Sequence, residues 1–432
     1  MTSLLIKNGH VIDPANGVDA VLDILVEDGK ITKLDKNIPS DNADIIDADG
    51  KVIIPGLIDL QVHLREPGRE DRETLESGSH AALAGGVTSV VAMPNLSPVA
   101  DNQTVIEFIV NRAKQLDLIN VYPAGATTRG QEGMKLSEIN ELKNAGAIAV
   151  TDDGVDIQHE GVLMRALEYA KTCDILLMSH CETNDLTEDG VMHEGWVSTQ
   201  LGLPGVPAES EDLAVWKNIL LAQRCGARLH LLHNSTIGAT EAIRAAKKKG
   251  SGNITAEVSV QHFSLSDEEC FGYNTNAKMY PPLRSKDHIE AIIEGIKDDT
   301  YDAFTTDHAP HIEPDKLLPF QHAAFGSTGL ETSFAVANTF LVEAGHISLS
   351  KAVSKMSVEP AKIIRVDKGT LSIGADADIA IFDLKNKWTV DAYAQSFSKS
   401  KNCIFDGKEL AGKCETTIVG GRVKYHQGKI VA

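Results

Sequence analysis

Two hydrophobic rhythms divide the chain. Over the first fifty residues apolar and polar positions alternate in short runs, LLIKNGHVID, DILVEDGKITKLD and DIIDADGKV, broken by Asn-Gly and Asp-Gly pairs. Period-two alternation with such turns predicts β-hairpins. The same style returns near the other end, in GTLSIGADADIAIFDL and TTIVGGRVKYHQGKIV. Neither end holds enough apolar residues for a good core alone. The two are therefore expected to pair into one small β-sandwich domain made of residues 1–51 and 366–432.

Between them, over 52–365, the rhythm changes. Short apolar strands alternate with helical stretches such as NQTVIEFIVNRAKQL, EDLAVWKNILLAQRC and IGATEAIRAAKKKG. The strand candidates fall at 53–63, 87–93, 119–125, 147–154, 175–180, 228–233, 254–260 and 302–308. Eight strands in βα alternation predict a parallel sheet closed as a (β/α)8 TIM barrel. A doubly wound open sheet is the alternative for the same pattern. No repeat of fixed period and no low-complexity tract interrupts it.

Composition narrows the picture. Hydrophobic residues are 42% and charged residues 24% of 432, which excludes disordered, collagen-like and coiled-coil chains. The formal net charge is −20, which repels phosphate backbones and argues against nucleic acid as a partner. No run reaches the ~18 apolar residues of a membrane span, so no membrane is expected either. The N-terminal MTSLLIKNGHVIDP lacks the charged start and cleavage site of a signal peptide. Six cysteines, none in a CxxC pair, are too sparse for a disulfide framework and read as reduced thiols. A cytoplasmic protein is the expectation.

Active sites of such barrels gather at the C-terminal ends of the strands. Strand 1 ends in His63, strand 4 in Asp152-Asp153-Gly154, strand 5 in His180, strand 6 in His233 and strand 8 in Asp307-His308. Three imidazoles and two carboxylates converging on one mouth predict a first-row metal site, best suited to Zn²⁺. A carboxylate bridge between two ions could yield hydroxide near neutral pH, and the remaining aspartate would accept and return a proton. Each residue also has a structural reading. Asp153 could cap the following helix, His180 and His233 could be core histidines, Arg65 could form a salt bridge, and Asn95 could be a turn residue. Asp152 reads as structural, and His230 is not expected to be a ligand.

DLQVHLREPG (59–68) resembles the dihydroorotase signature of the amidohydrolase superfamily. GGVTSVVAMPN, TDDG, SHCE, HNST, KMYPPLR, TDHAPH and FGSTGLET follow in the order of that family. The resemblance implies interconversion of carbamoyl-aspartate and dihydroorotate, a step of pyrimidine synthesis. It implies that His63 ligates one zinc, Asp153 bridges, His180 and His233 hold the second, and Asp307 is general acid/base and a metal neighbour. Arg65, Asn95 and His311 would grip the substrate carboxylate, and the backbone at Phe325-Gly326 would close on the ring. Some relatives bridge with a carbamylated lysine; AIAVTDDG contains none, so Asp153 must serve.

The chain departs from the family pattern twice. The pattern has His-x-His at the end of strand 1, where this chain has Gln61-Val62-His63. An amide oxygen holds Zn²⁺ less well than imidazole, so one or two ions per chain are expected, the first site weakened. The pattern also has Asn before Pro-Pro-Leu-Arg, where Tyr280 stands here. The family includes non-catalytic members that support aspartate transcarbamoylase, and such a subunit is the alternative reading. That enzyme, or a second copy of this chain, is the partner to consider.

Overall fold

The computed structural model describes residues 3–39, 43–250 and 253–431; residues 1–2, 40–42, 251–252 and 432 lie outside the described residues, including the outermost positions of both terminal segments. Eight parallel strands form one sheet in chain order: Leu57–Val62, Val87–Ala92, Asn120–Ala126, Ala149–Thr151, Leu176–Ser179, Leu229–Leu231, Ile254–Ser259 and Ala303–Thr305. Runs such as VTSVVA are buried on both faces, as parallel strands under a layer of helices must be. The sheet closes on itself. The His63 amide donates to the His308 carbonyl at 2.9 Å. The buried carboxylate of Asp59 on the first strand accepts from Thr305 Oγ at 2.6 Å and from the Thr306 amide. The (β/α)8 barrel expected from the alternation is present, and the open sheet is not.

The strand expected at 53–63 is two strands. Val52–Pro55 leaves the barrel and pairs with both chain ends, parallel to His10-Val11 and antiparallel to Ile379–Phe382. The break falls at Gly56, whose amide donates to the Asp378 carbonyl. A side chain at Gly56 would sit 2.2 Å from Thr88 Oγ, so only glycine lets the chain pass here. The alternating apolar pattern continues through the break because both strands are buried, and so it hid the boundary.

The two ends build one nine-stranded mixed sheet that includes Ser3–Asp13, Val18–Glu27, Ile379–Thr389 and Glu409–Val419. It folds over a core of its own, with Ile6, Ile24, Ile31, Ile53, Ile379 and Ile418 at its centre. The hairpin at its Lys30–Asp35 edge folds back onto the segment that leads into Ile379–Thr389, where the Ile31 amide donates to Ala375 O and the Ala377 amide to Gly29 O. The connection between Ile379–Thr389 and Glu409–Val419 does not stay with this sheet. Residues 396–404 run to the barrel mouth, where the Lys399 amide donates to Glu73, Ser400 Oγ to Arg72 O at 2.6 Å, and the Ile404 amide to Ser327 Oγ.

Candidate active site

The chemistry-bearing residues sit one or two positions beyond the strand ends, where the ladder has released the backbone. His63 follows Leu57–Val62, Asp153 follows Ala149–Thr151, His180 follows Leu176–Ser179, His233 follows Leu229–Leu231 and Asp307 follows Ala303–Thr305. Arg65, His233 and Asp307 have φ of 60°, 30° and 47°, a left-handed region that costs a non-glycine residue on the order of 1–3 kcal/mol. All six side chains are buried or nearly so. They line one cavity of about 570 Å³ together with Gln61, Asn95, Glu182, Tyr280, His311, Phe325 and Gly326.

Asp153, His180 and His233 each aim one ligand atom at a common point, all within 4.8 Å of one another. His180 Nδ1 and His233 Nε2 face each other at 2.9 Å, and Asp153 Oδ1 lies 3.6 Å from His233 Nε2. Two imidazole lone pairs do not approach so closely without a proton or a cation between them, and two imidazoles with one carboxylate suit a divalent first-row ion. The group can therefore hold a metal ion. On its outer side His180 Nε2 donates to Glu182 Oε2 at 3.1 Å, which turns Nδ1 into the cluster. Burial opposes charging His180, but the hydrogen bond and charge of Glu182 and the charge of Asp153 outweigh it and raise its pKa to about 9. Burial likewise opposes the Asp153 carboxylate, yet His233, His63 and His180 hold its carboxyl well below the usual range.

His63 and Asp307 pair with each other instead. His63 Nδ1 donates to Asn95 Oδ1 at 2.8 Å, which leaves Nε2 facing Asp307 Oδ1 at 3.1 Å and Asp153 Oδ2 at 3.4 Å. Gln61 points into the pocket, as its register two residues before His63 requires. Its Nε2 donates to Asp153 Oδ1 at 2.9 Å, while its Oε1 is buried without a partner.

Opposite this cluster lie Arg65, His311 and the Phe325-Gly326 turn. Arg65 is buried and its Nε donates only weakly, to Pro310 O at 3.4 Å. Both ring nitrogens of His311 are buried without hydrogen-bond partners. Burial, with Arg65 and Arg72 nearby, pushes its pKa down to about 2, so its ring is neutral. Gly326 has φ of 129°, and a side chain there would lie 2.6 Å from Ala309 Cβ. Every site residue named from the sequence thus lines the same cavity. Asn95 is turned to His63 through its oxygen, which leaves its NH₂ group for a further partner.

Glu182 and Tyr280 are polar lining residues to which the sequence had assigned no role. Glu182 is the last residue of SHCE and backs His180. Tyr280 donates to Glu182 Oε1, stacks on the His180 ring at 5.9 Å and meets Phe325 edge-on at 5.1 Å. The i, i+2 spacing of His180 and Glu182 was the available signal. Other polar groups are structural. Asp152 binds the Thr128 amide and hydroxyl, His308 binds Glu73, and His230 lies inside the barrel between Thr255 and Glu257.

A family model described as dihydro-orotase-like matches residues 50–239. A dihydroorotase of Acetivibrio thermocellus is 47% identical over 420 residues, 97% of this chain and 98% of that protein. One of Syntrophus aciditrophicus is 47% identical over 427 residues, 98% and 99% of the two chains. Among solved structures, the L-hydantoinase (dihydropyrimidinase) from Arthrobacter aurescens is similar with a TM-score of 0.87 at 25% identity, over 100% of this chain and 98% of that one.

Proposed function

This chain belongs to the dihydroorotase family of cyclic amidohydrolases, and from that premise we propose that it interconverts dihydroorotate and N-carbamoyl-L-aspartate in pyrimidine synthesis with the residues of the cavity just described. The observation that carries the reading is the meeting, in one cavity, of the Asp153–His180–His233 donor set with an arginine and a histidine that lack strong partners. The first half suits a cation and the second an anionic substrate.

Asp153, His180 and His233 would hold one Zn²⁺ tightly. His63 would hold a second ion weakly beside Asp153 and Asp307, because Gln61 gives Asp153 a hydrogen bond where the family pattern supplies a ligand. A bound ion supplies Lewis acidity, polarising oxygen and making hydroxide accessible near neutral pH. Asp307 takes the proton of the attacking water and returns it to the ring nitrogen as the ring C–N bond breaks. In the cyclising direction the Asp307 carboxylate takes the ureido N–H proton as that nitrogen bonds to the carbon of the protonated side-chain carboxyl, and returns it to the departing hydroxyl, which leaves as water. Asp307 faces both His63 and the cavity, as this shuttle requires.

Arg65 offers a planar pair of donors to the substrate carboxylate, and neutral His311 adds a ring N–H. Asn95 adds its free NH₂ group, and Gly326 brings main chain against the ring. A non-catalytic support for aspartate transcarbamoylase has no use for this arrangement. Six cysteines free of disulfides support a reducing compartment, and we assign the protein to the cytoplasm.

The test is metal analysis of the dialysed protein with a dihydroorotate assay on the wild type and Arg65→Lys. The wild type is expected to retain about one ion and turn over, and Arg65→Lys to raise KM with metal content unchanged. A metal-loaded wild type that leaves both compounds untouched would refute the assignment.

A further inference from the structure

We infer that Asn402, which lies outside the barrel sequence, is a positioning residue for substrate that fixes the spacing between His311 and Gly326. The inference rests on the reading above, in which these two residues face the substrate.

The Asn402 side chain is buried and makes three hydrogen bonds. Its oxygen accepts from the His311 amide at 3.0 Å. Its two N–H groups donate to Ala309 O at 3.0 Å and Gly326 O at 3.1 Å. Its own carbonyl accepts from the Thr328 amide at 2.9 Å. One primary amide thus joins two loops that meet at the substrate side of the cavity. Only a short side chain with one acceptor and two coplanar donors can do this. Aspartate lacks the donors, serine has only one, and glutamine is a methylene too long.

The consequence for the cavity is local. Neither ring nitrogen of His311 has a close hydrogen-bond partner, although Nδ1 lies 3.8 Å from Asp315 Oδ2, and its amide links it directly to Asn402. Gly326 O is held from two sides, by Asn402 and by Lys316 Nζ at 2.9 Å. The gap between the loops is tight, since a side chain at Gly326 would lie 3.3 Å from His311 Nε2. Removing the amide loosens both loops, which keep the Ala309 amide to Ser327 O bond and the Lys316 bond to Gly326 O, and leaves the metal donors untouched.

The experiment compares the wild type with Asn402→Ala and, as a milder variant, Asn402→Ser. Steady-state kinetics on dihydroorotate are combined with hydrogen exchange of peptides covering 309–311 and 325–328. The expected result is a KM raised about tenfold with kcat within about threefold, since misplaced gripping groups cost up to ~10²-fold. Exchange should quicken in both loops and stay unchanged in the barrel strands, with metal content constant. A KM within twofold of the wild type, or unchanged exchange in the two loops, overturns the inference. A general loss of stability would lower the melting temperature and the active fraction without raising KM, which would also overturn it. A wild type inert toward dihydroorotate refutes the functional reading instead, and the exchange measurement then decides the role of Asn402 alone.

Discussion

On one side of Asp153, two imidazole nitrogens face each other at 2.9 Å with Glu182 behind one of them. On the other side, Gln61 gives Asp153 an N–H, and His63 turns between Asn95 and Asp307. Both halves are buried at the rim of the same barrel and draw on the same residue types. The first turns Asp153 Oδ1, His180 Nδ1 and His233 Nε2 toward one another, all within 4.8 Å. The second satisfies most of its polar atoms with each other. A pocket prepared for a cation is recognised by ligand atoms that converge on one point, and by that measure the halves differ. The exception in the second half is the orphaned oxygen of Gln61.

The comparison can be broken at several points. Asp307→Asn should cut turnover about 10²–10⁴-fold while the tight ion stays, because a proton carrier is lost and the three-donor group is untouched. Kinetics with parallel metal analysis would check this, and loss of the ion would make Asp307 part of the tight site. His180→Ala should weaken metal binding by more than ~100-fold, since changes merely behind a ligand already cost ~10–100-fold. His63→Ala should weaken the tight ion far less, and calorimetric titration of the apo forms would rank the two. An equal loss would erase the distinction between the halves.

Gln61→His sharpens the contrast from the other direction. It should raise the stoichiometry toward two ions and tighten the weaker site by about 10–100-fold, if its effect is comparable to that of groups around a ligand. Zinc titration followed by binding and turnover together would show it. Equal stoichiometry in the two forms would mean that position 61 does not serve a metal.

The most gradual effect is on pH. His180 must give up its proton to bind an ion, and its metal-free pKa is about 9. Affinity for the tight ion should therefore rise by up to about tenfold per unit from pH 6 to 8 and level off above about 9. Chelator competition at three pH values reads this, and a flat profile would exclude His180 as a ligand. The same group affects the metal-free protein with the opposite sign. Its raised pKa stabilises the fold fully below about 6.5, and that contribution disappears as pH rises through about 9.

The barrel and its rim were legible from the sequence because each strand is a short apolar run with its chemistry placed just after it. His63, Asp153, His180, His233 and Asp307 could be named from that rule alone. The division at Gly56 was not legible, because a strand of one sheet followed directly by a strand of another reads as one apolar run. Glu182 was visible in SHCE but had no role until His180 was seen to turn its far nitrogen toward it. Asn402 carried no signal. Its neighbours in SKSKNCIF are polar and irregular, and its partners lie more than seventy residues away in the chain.

The joining of both chain ends in one sheet also sets an order of events during synthesis. Val52–Pro55 pairs with Ile379–Phe382, so the early strands must wait for more than three hundred residues to be added. At ribosomal rates of ~5–20 residues per second this delay is about 15–65 s. Throughout it the edge of Val52–Pro55 that will take up Ile379–Phe382 is without its partner, on strands too apolar to be left in water. The nascent chain therefore presents an unpaired apolar strand edge to its neighbours on the same messenger until its last eighth emerges.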